Sequence, residues 1–134
     1  MMGAVDREAQ SVTRPRNLWS SLAVQAAAFA YMAVCVSLLW KNNLLLLGAM
    51  SAECVVVLGL WHDRLDLSFF LVIGVLGTLA ELLFVHSGAW QYANPTVLGM
   101  PVWFPVAFGT TGLIGGRMAR TLAALWEGAR RSQT

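Results

Sequence analysis

The sequence predicts an all-α, polytopic integral membrane protein: a four-helix transmembrane bundle with both termini in the cytoplasm. Three observations lead to that class. Of the 134 residues, 57% are hydrophobic and 12% are charged, against about 25% charged in an ordinary soluble domain. The apolar residues come as four runs separated by short polar connections, each run close to the roughly 20 residues that a helix needs to cross the hydrocarbon core. The basic residues are also unevenly shared between alternate connections. Arg7, Arg14, Arg16, Arg64, Arg117, Arg120, Arg130 and Arg131 fall on one side of a four-span topology and Lys41 on the other, and the positive-inside rule assigns the larger group to the cytoplasm. The net charge of +2 expresses this asymmetry, so no nucleic-acid partner is expected.

Residues 1–16 form a polar tail that ends in Arg14, Pro15 and Arg16 and lacks the pattern of a cleaved signal peptide. The first span, about Leu18 to Leu39, is bracketed by Trp19 and Trp40, a separation that suits indoles at both membrane interfaces. Its alanines favour close helix packing. Only Lys41, Asn42 and Asn43 precede the second span, about Leu44 to Trp61, and so short a turn makes the two spans antiparallel neighbours. Cys35 and Cys54 lie inside these runs, where a thiol acts as a small buried hydrophobe and implies neither a disulfide framework nor a metal site.

The connection His62–Asp66 is the most charged loop, and a third span follows over about Leu67 to Val85. From Gln91 to Pro105 the chain then has no Asp, Glu, Lys or Arg, while it holds Gln91, Tyr92, Asn94, Pro95, Pro101, Trp103 and Pro105. Amides and rings in place of charges suit a hairpin lying at the interface and folded back on its own helices. A fourth span begins near Val102, with Pro101 and Pro105 in or before its first turn, where a missing donor costs little. Gly109, Gly112 and Gly116 follow at helical spacing and read as a packing face. From Met118 the pattern is amphipathic and basic, as for a helix continuing along the cytoplasmic surface. The spanning domain is thus 17–126, and 127–134 is a basic tail.

Polar groups at membrane depth carry the functional signal, since a carboxylate there is costly and is kept for a reason. Counting inward from the far face at about 1.5 Å per residue, Glu53 lies roughly 15 Å deep and Glu81 roughly 12 Å deep. Tyr31, Thr110 and Thr111 fall at a similar depth, so one polar layer surrounding a small pocket is expected. With Gln91, Tyr92 and Trp103 of the hairpin, these are the candidate ligand-binding residues. Two readings of the carboxyls stay open. Either they are protonated and hydrogen-bonded to each other or to hydroxyls as ties between helices, or Glu81 donates a proton to an apolar substrate while the other holds the conjugate charge. His86 has no second His or Cys at ligand spacing, so neither a metal nor a cofactor is expected.

One order of landmarks runs through the second half of the chain. It comprises Leu60-Trp61, Asp63-Arg64, Gly88 followed by Gln91-Tyr92 and Pro95, then Trp103, Pro105, Phe108, Gly112, Gly116 and Arg117. This order resembles the last spans of the Insig (insulin-induced gene) family and its bacterial homologues. Those are sterol-regulated membrane proteins of the endoplasmic reticulum that hold the escort protein Scap. The resemblance implies a partner-facing cytoplasmic surface at Asp63 and Arg64 and a site for a sterol or other lipid within the bundle. A weaker resemblance, carried by Glu81, Gly88, Tyr92, Gly99, Pro101 and Pro105, is to the membrane hydratases of carotenoid biosynthesis, and it implies Glu81 as the catalytic acid.

The favoured reading is an Insig-like protein that binds a lipid, sterol or isoprenoid among its helices, with a membrane-protein partner or a second copy of itself. The alternatives are a membrane hydratase or isomerase using Glu81, and a small transporter. The location expected is the inner membrane of a bacterial cell or the endoplasmic reticulum of a eukaryotic one.

Overall fold

The computed structural model describes residues 15–132. Of the polar tail expected over 1–16, positions 1–14 lie outside the described residues, as do 133 and 134 at the end of the basic tail. The described chain forms four helices: α1 Pro15–Leu39, α2 Asn43–Leu60, α3 Arg64–His86 and α4 Phe104–Arg131. The first three are long and apolar enough to cross a membrane, α1 over Leu18–Leu39, and the protein is a multi-pass membrane protein. Helix α4 starts at Phe104, with a proline in its first turn, and runs unbroken to Arg131. The change of character at Met118 therefore leaves no break in the helix, and the expected tail from 127 is helical as far as Arg131.

Local chemistry explains the helix ends. Asn42 caps α2, its side chain accepting from the Leu45 amide at 3.1 Å. Asp63 and Asp66 form a reciprocal capping box at the start of α3: the Asp66 amide donates to Asp63 at 2.8 Å and the Asp63 amide to Asp66 at 3.3 Å. Each bond satisfies an amide that a helix start leaves without an intrahelical partner.

Helix α4 packs against all three others, α1 and α2 pack against each other, and α3 packs against α4 alone. The expected ring of four helices around one interior is therefore not formed. Helices α1, α2 and α4 make a three-helix core, and α3 lies on the opposite face of α4. The core contains Met32, Leu46, Met50, Val57, Leu113 and Ile114. Wrapped by protein on two faces, α4 is relieved of the need to present hydrocarbon to lipid, which is why the helix with the lowest apolar content is the hub.

The glycines of α4 create its second face. A Cβ on Gly116 would strike the Phe69 ring, one on Gly109 the Phe70 ring, and one on Gly112 would lie 2.5 Å from Ile73 Cβ and 2.7 Å from the Phe69 carbonyl oxygen. Side chains of α3 thus sit in the space the missing Cβ atoms leave. Gly115 faces away, with nothing within 4 Å of a Cβ built there. Gly112→Ala is expected to destabilise by about 1–3 kcal/mol through overpacking, while Gly115→Ala leaves stability unchanged or slightly raised. Thermal unfolding in detergent measures both, and equal melting temperatures for the two variants would contradict a glycine seam between α3 and α4.

Candidate functional site

Two anchors set the register of the helices. Gly74 of α3 abuts Gly109 of α4, and Trp103 Nε1 donates to Asn43 Oδ1 of α2 at 3.1 Å. From these, Glu81 stands level with about residue 102, and hence near the level of Asn43, whereas Glu53 lies about 15 Å further along α2. The two carboxyls do not share a layer, and α2 and α3 make no packing contact. The expected single polar pocket is replaced by separate sites, because counting from loop ends assumed that all four helices stop at one plane. In fact α3 extends beyond the start of α4, and the hairpin folds back beside it.

At the hairpin end, Glu81 Oε2 accepts from the Tyr92 hydroxyl at 2.5 Å and from Trp90 Nε1 at 3.1 Å. Burial, then the bond to Glu81, push the Tyr92 hydroxyl up to about 12, so it stays a donor at physiological pH. Glu81 is half-buried and ties the hairpin to α3; the dry acid expected of it is not what this geometry provides. Asn43 is the second tie. Its Nδ2 donates to the Asn94 carbonyl at 2.7 Å and to Thr96 Oγ1 at 3.0 Å, while its Oδ1 holds Trp103. Leu98 and Gly99 both have positive φ, as a type I′ turn requires. Gln91 is exposed.

At the opposite, basic end stands a four-residue ion cluster that the sequence reading did not assemble. Asp66 is fully buried. Arg117 Nη2 donates to its Oδ2 at 2.6 Å and Arg117 Nε to its Oδ1 at 3.1 Å, while Arg120 Nη2 pairs with the same carboxylate. Asp63, half-exposed, also receives contacts from Arg117 at 3.2 Å and Arg120 at 3.3 Å. The Arg117 guanidinium also lies over the Trp61 ring, 5.4 Å from its centroid. Asp63, expected to face a partner with Arg64, is thus engaged inside the chain, while Arg64 is exposed. The Asp-x-x-Asp spacing of the capping box was the available signal, but only the fold brings α4 beside it.

The remaining candidates lie between these ends. Tyr31 donates to the Ala49 carbonyl at 3.4 Å, and Thr111 reaches Met32 Sδ at 3.1 Å. Thr110 is buried and its hydroxyl finds no partner among the described residues; the same holds for both oxygens of Glu53, which is 7% exposed. Gln25 Nε2 donates to Thr121 Oγ1 at 3.1 Å and joins α1 to α4.

Three clefts accompany these groups. An apolar groove of about 420 Å³ lies along the seam of α3 and α4 and is lined by Phe70, Leu71, Gly74, Val75, Thr78, Leu79, Pro105 and Val106. A cleft of about 390 Å³ lies between α1 and α2 and includes Tyr31, Glu53 and Trp61. The third, about 280 Å³, adjoins Trp40, Tyr92 and Trp103 at the hairpin. Ligand sites usually occupy about 300–1,000 Å³, so the first two have the size for a small amphiphile.

Comparison with known proteins supplies relatives for part of this chain. It is 34% identical to the insulin-induced gene 2 protein of Gallus gallus over 88 residues, which cover 63% of this chain and 38% of that protein. It is 36% identical to the insulin-induced gene 1 protein of Bos taurus over 70 residues, 49% of this chain and 25% of that protein. The match to the insulin-induced gene 1 protein of Homo sapiens is 34% over 70 residues, again covering 49% of this chain and 25% of that protein. The chain therefore spans between a quarter and two fifths of the length of these relatives. No family model matches it, and no solved structure matches it.

Proposed function

Because the chain is related in sequence to the insulin-induced gene proteins, we propose that it is an Insig-type membrane protein that binds a lipid, sterol or isoprenoid between its helices. The observation that carries this reading is the groove of about 420 Å³ between α3 and α4. Helices that meet across glycines approach closely; Gly74 abuts the α4 backbone at Gly109 and Pro105, and the groove runs beside that contact, along the exposed side chains of Leu71, Val75 and Leu79. Thr78 lines the groove, but its hydroxyl is already committed, donating to the Gly74 carbonyl at 2.6 Å. The walls therefore offer a bound molecule dispersion contacts and no hydrogen bonds, which suits an isoprenoid chain or a sterol ring system. The exposed Arg64, with the outer side of Asp63, is the surface on which a membrane partner would dock. Glu81 serves here as the acceptor that holds the hairpin, and no observation favours a catalytic role for it.

Native mass spectrometry of the purified protein, with extraction of the lipids it retains, tests this reading. Val75 lines the groove and is exposed, so Val75→Trp fills the site without entering the core. The wild-type protein is expected to retain an apolar lipid, and the variant to lose it by about tenfold or more, the equivalent of roughly 1.4 kcal/mol of lost contact. An empty wild-type protein, or equal retention by both, contradicts the proposal.

A further inference from the structure

Glu53 takes part in none of the ties described above. Asp66 is met by two guanidiniums and Glu81 by two donors, yet Glu53, buried in the middle of α2, has both oxygens without a hydrogen-bond partner. A carboxyl at membrane depth is costly to keep unless something meets it. Its surroundings indicate what that is. Glu53 forms part of the wall of the α1/α2 cleft of about 390 Å³, whose other walls are aliphatic apart from the rings of Tyr31 and Trp61. Both of its oxygens are buried, and the residue that carries them lines the cleft.

One acidic group, an aromatic face and an apolar trough together match a lipophilic cation. The carboxylate supplies the counter-charge, strengthened by the low dielectric of the site. The Tyr31 ring attracts a cation through its quadrupole, and Val24, Ala28 and Val56 accept an alkyl body. A neutral alcohol satisfies one lone pair and leaves the charge uncompensated, and an anionic head is repelled. We propose that the α1/α2 cleft is a binding site for a lipophilic ammonium, whose N–H groups donate to the Glu53 carboxylate while its hydrocarbon lies between the two helices. This site is separate from the α3/α4 groove and stands or falls independently of it.

The test uses two probes of equal chain length, dodecylammonium and dodecanol, on the full chain in detergent at pH 8, where an alkylamine is protonated. The wild-type protein is expected to bind dodecylammonium at least about tenfold more tightly than dodecanol, the effect of one charge-assisted hydrogen bond in a desolvated site. In Glu53→Gln, which keeps the shape and removes the charge, that preference disappears. Ala27→Trp fills the cleft from its exposed rim with Glu53 intact, and it is expected to abolish dodecylammonium binding even if the glutamine variant fails to fold. Equal binding of the two probes by the wild type, preference for the alcohol, persistence of the ammonium preference in folded Glu53→Gln, or persistence of ammonium binding in folded Ala27→Trp overturns the proposal. Because lipid retention in the other groove is read in Val75→Trp, failure of one site leaves the other reading unaffected.

Discussion

Asp66→Asn is expected to lower stability by about 3–5 kcal/mol, the usual cost of removing one partner from a buried ion pair. The substitution keeps the shape of a side chain with no exposed surface but leaves Arg117 and Arg120 facing each other without the shared carboxylate that now accepts from both. It also weakens the capping box, since the Asp63 amide donates to Asp66. The effect reads out as a lower melting temperature in detergent and faster proteolysis at the α2/α3 loop. Asp63→Asn, at a half-exposed position, is expected to do much less. Equal effects for the two would show that Asp66 is not the centre of the cluster.

The cluster also sets the sign of the acid dependence. The Asp66 amide, and after it the guanidiniums of Arg120 and Arg117, hold the Asp63 carboxyl below its ordinary value of 3.8. A carboxyl lowered in the folded state stabilises the fold above its unfolded pKa, and that contribution is lost as the pH falls through the folded value. Stability is therefore expected to decline from about pH 4 downward through protonation of Asp63, and the acid-induced change should shrink in Asp63→Asn.

The second large effect is expected at Asn43. Asn43→Ala removes two donors and one acceptor at once and leaves the indole N–H of Trp103, itself 8% exposed, without its partner. Each buried polar group left unpaired costs about 1–3 kcal/mol. The loss is local in consequence, because Asn43 is what fastens the hairpin to the start of α2. Hydrogen exchange should accelerate across residues 94–103, and the emission of Trp103 should shift to the red. Asn42→Ala provides the contrast. It removes the cap of the same helix and is expected to cost about 1 kcal/mol with no change in hairpin protection. Exchange in the hairpin that is indifferent to Asn43 would contradict this account.

Much of the candidate site was legible by residue and little of it by grouping. That Glu53 is exceptional follows from the chain alone, since a carboxyl within an unbroken apolar run has no local means of solvation. That it stands apart from Glu81 does not follow, because the two helices that carry them are held on opposite faces of a third. Tyr92 and Glu81 are both prominent in the sequence, but their hydrogen bond depends on how far α3 runs past the start of α4. Asp66 gave only the weak local signal of a capping box, and its arginine partners lie 51 and 54 positions away.

Membrane character, helix lengths, antiparallel neighbours and the glycine face of α4 were set by composition and spacing, because hydrocarbon imposes one requirement on every lipid-facing residue and the helix repeat imposes another. The tertiary structure alone decided that the least apolar helix is the hub, that α3 leans on it from outside, and that the α1/α2 cleft and the α3/α4 groove are therefore separate. That outcome depends on which helix face offers the closest approach. Here Gly109, Gly112 and Gly116 take the side chains of α3 while the opposite side of α4 buries Leu113 and Ile114 against α1 and α2, and such a competition between contacts is settled only when all four helices are packed together.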